Sequence, residues 1–411
     1  MENSEAIYQP VLKRSFPLSR KIGVIGNGRG PTLVFFGGIH GNEQLGYAAL
    51  VDVFSELKGR SEDFNGRAYA FSGNMGALRQ GKRYLETDLN RLWSDKQIAR
   101  IEGKQLNGNA SLEEKEQVEL FQEIKTVIRQ ENGPFMFFDL HTTSSSSVPF
   151  VLINDTMNNR QLAESYPLRI ILGIEEYLSG PLLSYINDQG FISLGFEAGQ
   201  HDSLSSFELH KMFVLQSFLI TGLMKDAVLY SELILDNKHS HFAHSFFEVR
   251  HCYRVEDDED FKMEPGYVNF SPVKKDQTVA RNKHGVIQVK ESGFLFMPLY
   301  QTKGNEGFYL IKLIPTFWLR FSFFIRKFNF ERILMALPGI EKHDDVFKSI
   351  KVNERVAKYL SRELFHLLGY RRTVQSGTKR IYIKREFTKQ QLSLFSRELR
   401  SLKPDSPFTH Q

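Results

Sequence analysis

His40 and Glu43 lie close together in Gly37-Gly38-Ile39-His40-Gly41-Asn42-Glu43, and His141 closes Phe137-Phe138-Asp139-Leu140-His141. Each histidine follows a short apolar run that reads as a buried strand. Two imidazoles and a carboxylate are the donor set of a catalytic zinc that keeps one position open to water. If the three converge, metal-assisted hydrolysis is the expected chemistry. His-x-x-Glu alone is a weak signal, because the helix dipole also favours a glutamate in a first turn. A second histidine at a second strand end strengthens the metal reading. Asp139 falls on the same side of its strand as His141, where a carboxylate can orient an imidazole or a neighbouring arginine.

Glu197 stands in Gly195-Phe196-Glu197-Ala198-Gly199-Gln200-His201, directly after an apolar run. Beside a metal it would be the general base for water; otherwise it is a strand-end surface carboxylate. His201 is equally readable as a loop residue. Arg83, Asn90 and Arg91 share the stretch Arg83-Tyr84-Leu85-Glu86-Thr87-Asp88-Leu89-Asn90-Arg91. Guanidiniums match carboxylates through two parallel hydrogen bonds, so this stretch is a candidate anion clamp. Without the neighbouring motifs it would read as a solvated charge cluster.

The elements that position these residues alternate between strand and helix up to about residue 235. The pattern predicts strands over Thr32–Phe36, Ala68–Phe71, Phe135–Leu140, Val148–Ile153 and Ile192–Phe196. It predicts helices over Asn42–Leu57, capped by Asn42, over Ser111–Arg129, with Ser111 and Glu114 as a capping box, and over Phe207–Leu223. Such alternation implies an α/β sheet covered on both faces, with ligands at the strand ends. From about 240 to 312 helical periodicity fades into short β-rich runs, which predicts a small all-β domain. Residues 313–411 return to helical spacing and end in a hairpin around Ser376-Gly377. The expected domains are therefore 1–237, 238–312 and 313–411.

The chain has 411 residues, 41% hydrophobic and 25% charged, an ordinary globular balance. One cysteine, Cys252, excludes an internal disulfide and a cysteine-based zinc cluster, and fits a reducing compartment. Met1 to Arg20 shows no apolar signal segment, and no run reaches a membrane span. A soluble, cytoplasmic protein is the expectation. The net charge of +5 is uneven: residues 313–411 carry 20 Lys+Arg against 9 Asp+Glu, a basic tail on a mildly acidic body. Within it, Phe317-Trp318-Leu319-Arg320-Phe321-Ser322-Phe323-Phe324-Ile325-Arg326-Lys327-Phe328 mixes aromatics with basic residues. That stripe reads first as a helix with its aromatics against the body and its arginines outside. The rival readings are an anionic membrane surface and stacking on nucleic-acid bases.

Taken together, Gly38-Ile39-His40-Gly41-Asn42-Glu43, Asp88-Leu89-Asn90-Arg91, Asp139-Leu140-His141-Thr142 and Glu197-Ala198-Gly199-Gln200-His201 resemble the succinylglutamate desuccinylase/aspartoacylase family of zinc carboxypeptidase-like hydrolases. The resemblance covers about residues 20–312. It implies an α/β, mixed-sheet core with helices on both faces, a small β domain behind it, and one zinc on His40, Glu43 and His141. It implies Glu197 as catalytic base, Arg83 as the group polarising the scissile carbonyl, and Asn90 and Arg91 as the grip on a substrate carboxylate. The expected activity is a deacylase that cleaves the amide of an N-acyl amino acid or a related small acylated substrate bearing a carboxylate. The alternatives are a carboxypeptidase or esterase acting on peptides or cell-wall fragments, and a metal-binding protein whose tail meets membrane or nucleic acid. No nucleic-acid partner is expected, and peripheral membrane contact through 313–332 ranks below packing on the body. Two departures stand out. Aspartoacylases carry a further arginine shortly before the catalytic glutamate, whereas here no arginine lies between Arg169 and Glu197. The basic tail also has no counterpart in the minimal family pattern.

Overall fold

The structure, a computed structural model, describes residues 6–103, 110–224, 242–256, 258–301, 304–327, 338–344, 349–353, 362–376 and 379–384. The chain opens with the hairpin β1 (Ala6–Gln9) and β2 (Arg14–Pro17). There follow β3 (Lys21–Gly26), β4 (Thr32–Gly37), β5 (Arg67–Ser72), β6 (Phe135–Thr143), β7 (Phe150–Ile153), β8 (Arg169–Leu172) and β9 (Ile192–Gln200). The next group is β10 (Phe246–Arg254), β11 (Lys262–Met263), β12 (Ser271–Val273), β13 (Thr278–Asn282), β14 (Gly285–Gln288), β15 (Gly293–Phe296) and β16 (Glu306–Leu313). Eleven of these strands form one mixed sheet in the order β12-β15-β16-β10-β8-β7-β9-β6-β4-β5-β3.

At its centre, β4 is buried along its whole length and pairs in parallel with β5 and β6. A strand buried on both faces must be apolar throughout, which is why Thr-Leu-Val-Phe-Phe-Gly does not alternate with polar residues. Successive side chains take opposite faces. Phe35 and Phe138 therefore join one core with α1 (Gln44–Glu56) and α7 (Leu204–Ile220). Phe36 and Phe137 join the other with α4 (Leu112–Gln130) and α6 (Leu182–Asp188). The remaining helices of this part are α2 (Met75–Gln80), α3 (Asp95–Glu102) and α5 (Met157–Glu164).

Residues 246–313 are strand and turn among the described residues, yet the main sheet runs through the boundary expected at 237/238. Strand β10 pairs in parallel with β8 on one side and antiparallel with β16 on the other. Its Phe246 and Phe247 are buried, so β10 is an interior strand of the sheet. Within residues 246–313, β11, β13 and β14 form a separate three-stranded sheet.

The tail holds α8 (Thr316–Lys327), β17 (Ile340–Asp344), β18 (Ser349–Asn353), α9 (Arg362–Leu367), β19 (Tyr370–Ser376) and β20 (Lys379–Lys384). Its strands form an antiparallel sheet in which β19 and β20 make the expected hairpin. The packing of α8 departs from the expectation for its aromatics and for Arg326, while Arg320 is exposed as expected. Phe317, Phe323 and Phe324 are 67%, 53% and 51% exposed, while the Arg326 side chain is 1% exposed. The cause is electrostatic: Arg326 reaches Asp155, a fully buried carboxylate just beyond β7, at 3.1 Å. Phe328 of the aromatic stripe, and residues 328–332 of the 313–332 segment, lie outside the described residues. No described helix is long and apolar enough to cross a membrane.

Candidate active site

Strands β4, β6 and β9 are mutually parallel, so their C-terminal ends share one edge of the sheet. Ligand chemistry in such sheets gathers at that edge. After β4 the chain must turn sharply. Gly38 takes φ +74°, and a Cβ on Gly41 would fall 2.1 Å from the Ala77 carbonyl carbon, so a side chain cannot be placed there. This turn delivers His40 and Glu43 to the start of α1. Asn42 does not cap that helix. Glu43 holds the N-cap position and makes no side-chain cap hydrogen bond, because its carboxylate is committed to the histidines. Strands β6 and β9 also run beyond their apolar stretches. His141 and Glu197 are register partners within the ladder, with an irregularity just after them. Backbone pairing continues where the hydrophobic pattern stops, and a bulge here can re-aim side chains.

The three donors meet. Nδ1 of His40 lies 2.9 Å from Glu43 Oε1, and Nδ1 of His141 lies 2.9 Å from Glu43 Oε2. One donor atom from each residue falls within 4.8 Å of the others, and all three residues are buried. The opposite nitrogens are held from behind. His40 Nε2 is 3.2 Å from Asp88 Oδ1. His141 Nε2 is 2.7 Å from Asp139 Oδ2, an ion-pair contact off the line of a good hydrogen bond. The Thr142 N–H donates to Glu43 Oε2 at 3.0 Å. Imidazoles that face one point and are backed by carboxylates form the usual outer support of a metal site.

The electrostatics suit a cation. Burial would raise the Glu43 carboxyl, but the charges of His40 and His141 outweigh it and hold it well below the usual range. Burial would keep His141 neutral, but Asp139 and Glu43 push its pKa well above normal. Burial also pushes the Glu197 carboxyl up to about 8; His141 opposes this, while Glu43 and Asp139 add to it. Glu197 Oε2 finds no hydrogen-bond partner. Four carboxylates thus crowd two imidazoles and one guanidinium, Arg83, whose Nη1 is 3.6 Å from Glu43 and whose Nη2 donates to Asp88 at 3.3 Å. A divalent ion between the two Nδ1 atoms and Glu43 would relieve that excess of negative charge, so the residues fit a metal.

All seven site residues read from the sequence (His40, Glu43, Arg83, Asn90, Arg91, His141 and Glu197) line one cavity of about 170 Å³. Asn90 and Arg91 are partly engaged already. The Leu182 N–H donates to Asn90 Oδ1 at 2.9 Å, and Arg91 pairs with Glu306 at 3.2 Å. Glu306 and Tyr309 on β16 wall this side, so the β-rich segment contributes to the cavity.

Sequence reading gave no role to Asp88 or Glu113. Asp88 stood in a quoted motif, and its bond to His40 depends on a fold in which the 83–91 loop returns over β4. Glu113 is fully buried in the first turn of α4. Its carboxylate accepts from the Leu85, Glu86 and Thr87 N–H groups at 2.7, 3.2 and 3.2 Å, and from Asn74 at 3.1 Å. It anchors the loop that carries Arg83 and Asp88. In the sequence, Glu113 is one acid in a run of four charges and carries no distinguishing signal.

Residues 29–212 match the model of the Succinylglutamate desuccinylase/Aspartoacylase catalytic domain. Over 132 residues the chain is 32% identical to a protein of Acaryochloris marina named Probable aspartoacylase, a stretch that spans 32% of this chain and 41% of that relative. In fold it is similar to a succinylglutamate desuccinylase/aspartoacylase crystal structure from Rhodobacter sphaeroides, with TM-score 0.54 and 18% identity over 71% of this chain and 88% of that one. It is also similar to a product-bound structure of the ectoine utilization protein EutE from Ruegeria pomeroyi, with TM-score 0.53, 18% identity and the same coverage. At such identities the likeness to the solved structures is one of fold.

Proposed function

Since residues 29–212 match the succinylglutamate desuccinylase/aspartoacylase catalytic-domain model, we propose that this chain is a zinc-dependent deacylase that hydrolyses the amide bond of a small N-acyl amino acid. The observation that carries the reading is the convergence of two imidazole Nδ1 atoms on the Glu43 carboxylate. His40, Glu43 and His141 would hold the ion. Zinc bound there supplies Lewis acidity toward water and the scissile carbonyl.

The other side chains supply the remaining functions. Glu197 takes a proton from water as its oxygen bonds to the carbonyl carbon. It passes that proton to the nitrogen as the C–N bond breaks. Burial raises its carboxyl, which suits a group that must take up a proton and give it back. Arg83 donates to the oxygen that becomes negative in the tetrahedral state, and one such donor is worth on the order of 100-fold or more in rate. The remaining N–H groups of Asn90 and Arg91 orient the amino-acid carboxylate. Asp88 and Asp139 fix the two imidazole rings.

The acyl group is read as small and uncharged. The arginines lining the cavity are Arg83 and Arg91, and Leu152, Ile174, Leu178 and Leu183 form an apolar part of its wall. A cavity of about 170 Å³ is also tight against the roughly 300 Å³ and above of most ligand pockets, which disfavours peptides and cell-wall fragments. The single thiol Cys252 is consistent with a reducing cytoplasm.

The test combines elemental analysis with substrate turnover. Purified protein should carry about one zinc per chain, and His141→Ala should lose it. A panel of N-acetyl, N-propionyl and N-succinyl amino acids should show turnover favouring the uncharged acyl groups. Metal-free protein, or zinc-loaded protein that cleaves peptides in preference to acyl amino acids, would overturn the reading.

A further inference from the structure

A second cavity, of about 320 Å³, lies between the tail and the main sheet, and it is larger than the one at the metal centre. It has room for about ten waters and falls within the size range of small-molecule sites. Its lining is of two kinds. Ile314, Trp318, Leu319 and Leu367 make an apolar wall. Arg160, Ser322, Glu248, His366 and Arg371 make a polar floor.

Most of that floor is saturated. Arg371 gives Nε to Asp155 at 2.9 Å and Nη1 to Glu248 and Glu176 at 2.7 and 3.2 Å. Glu248 also accepts from Arg250 at 3.3 Å and lies 2.6 Å from His366 Nδ1. Arg160 is the exception. Its Nε donates to Asp155 at 2.6 Å, but Nη1 has only a long 3.4 Å bond to Ser322, and Nη2 makes none to a described residue. Arg160 is only 6% exposed and lines this cavity, so the open edge of its guanidinium faces the cavity rather than the outer surface. A buried guanidinium with its outer fork open is matched in shape and charge by a carboxylate.

We propose that this cavity is a second ligand site, which takes a single-chain carboxylic acid with its head on the Arg160 fork and its hydrocarbon chain along Trp318 and Leu319. The site shares no residue with the metal centre and does not depend on the deacylase reading.

Trp318 reports on it directly. The chain has two tryptophans, Trp318 and Trp93, and Trp93 is buried in the other core beside α4 and α6. The probes are ω-bromo-undecanoate, whose bromine quenches a nearby indole, and the matching ω-bromo alcohol. The acid should quench full-length protein saturably and bind about tenfold or more tighter than the alcohol, because the charged hydrogen bonds are made only by the acid. Trp318→Phe should abolish the quenching. Arg160→Gln should bring the acid to the level of the alcohol. Leu319→Phe fills space at the apolar wall without touching the ion pairs and should weaken both probes. Quenching should persist after chelation of metal. Absence of saturable quenching, or equal binding of acid and alcohol to unmodified protein, would overturn the proposal. The second outcome would indicate adsorption on the exposed aromatics of α8, and it requires no variant.

Discussion

Glu197 shows how one buried carboxyl makes stability depend on pH. It is buried, one oxygen has no partner, and its carboxyl is raised to about 8 against roughly 4.3 in an unfolded chain. The folded state therefore keeps a proton that the unfolded state releases, and between those two values stability falls as pH rises. Glutamine keeps the shape and removes the titration. In Glu197→Gln, turnover should fall by about 100-fold or more with zinc retained. The chelated variant should melt at a higher temperature than the chelated parent, by a margin that widens from pH 5 to 8. Melting curves across pH check the sign, and a margin that shrinks with pH would contradict it. Asp139 is the complementary case. It touches His141 from the side away from Glu43, so Asp139→Asn should leave the fold intact and weaken metal affinity by about 10- to 100-fold. Competition against a chelator of known affinity measures this.

Among the elements, α4 does more than cover the sheet. Its capping box fixes where the helix begins, and that start places Glu113 under the 85–87 backbone. Three N–H groups share one carboxylate there, so the loop is held by a charge rather than by packing. Glu113→Gln keeps most of the volume but turns one acceptor into a donor facing N–H groups. Arg83 and Asp88 should then lose their fixed positions. The expected result is a drop of about tenfold or more in kcat/KM, with faster amide exchange at residues 85–87 and little change at α4 itself. Undisturbed kinetics would leave Glu113 a purely structural anchor. Helix α8 shows the opposite relation between element and neighbour. Its seating follows Arg326 and Ser322, which reach the body, and its aromatic face is left outward.

For the whole molecule, Asp155 is the joint. It receives Arg160, Arg326 and Arg371 at 2.6, 3.1 and 2.7 Å, so strand β7, helix α5 and the tail meet on one buried carboxylate. The preceding residues Ile153 and Asn154 line the cavity of the candidate metal site, which ties the tail mechanically to that wall. Asp155→Asn would leave three guanidiniums facing a neutral amide, and breaking a buried pair in this way costs about 3–5 kcal/mol. Chemical denaturation of parent and variant measures the loss. The acid limb follows from the same cluster. Burial opposes the charged form of Asp155 and of Glu248, but Arg160, Arg326 and Arg371 around the first, and Arg371 and His366 around the second, hold both well below the usual range. Their contribution is fully present above the unfolded value near 4 and is lost as pH falls below it. Parent protein should therefore lose melting temperature steeply below about pH 4, and Asp155→Asn should show a shallower acid slope.

The amino-acid sequence by itself determined the sheet's central strands and the identity of the donors. Thr-Leu-Val-Phe-Phe-Gly and Phe-Met-Phe-Phe-Asp-Leu-His are too apolar to lie anywhere but in a sheet covered on both faces. His40, Glu43, His141 and Glu197 follow such runs because that is where a parallel sheet presents its edge. Ser111 and Glu114 announced α4 through a local hydrogen-bond pattern, which needs no distant partner. What remained hidden depends on contacts between residues far apart in the chain. Asp88 supports His40, Glu113 holds a loop 26 to 28 residues before it, and Asp155 gathers arginines up to 216 positions away. Local spacing cannot encode such partners. A charged side chain goes inward only where the folded chain supplies its counter-charge, and for Arg326 and Arg371 the tertiary structure alone made that decision.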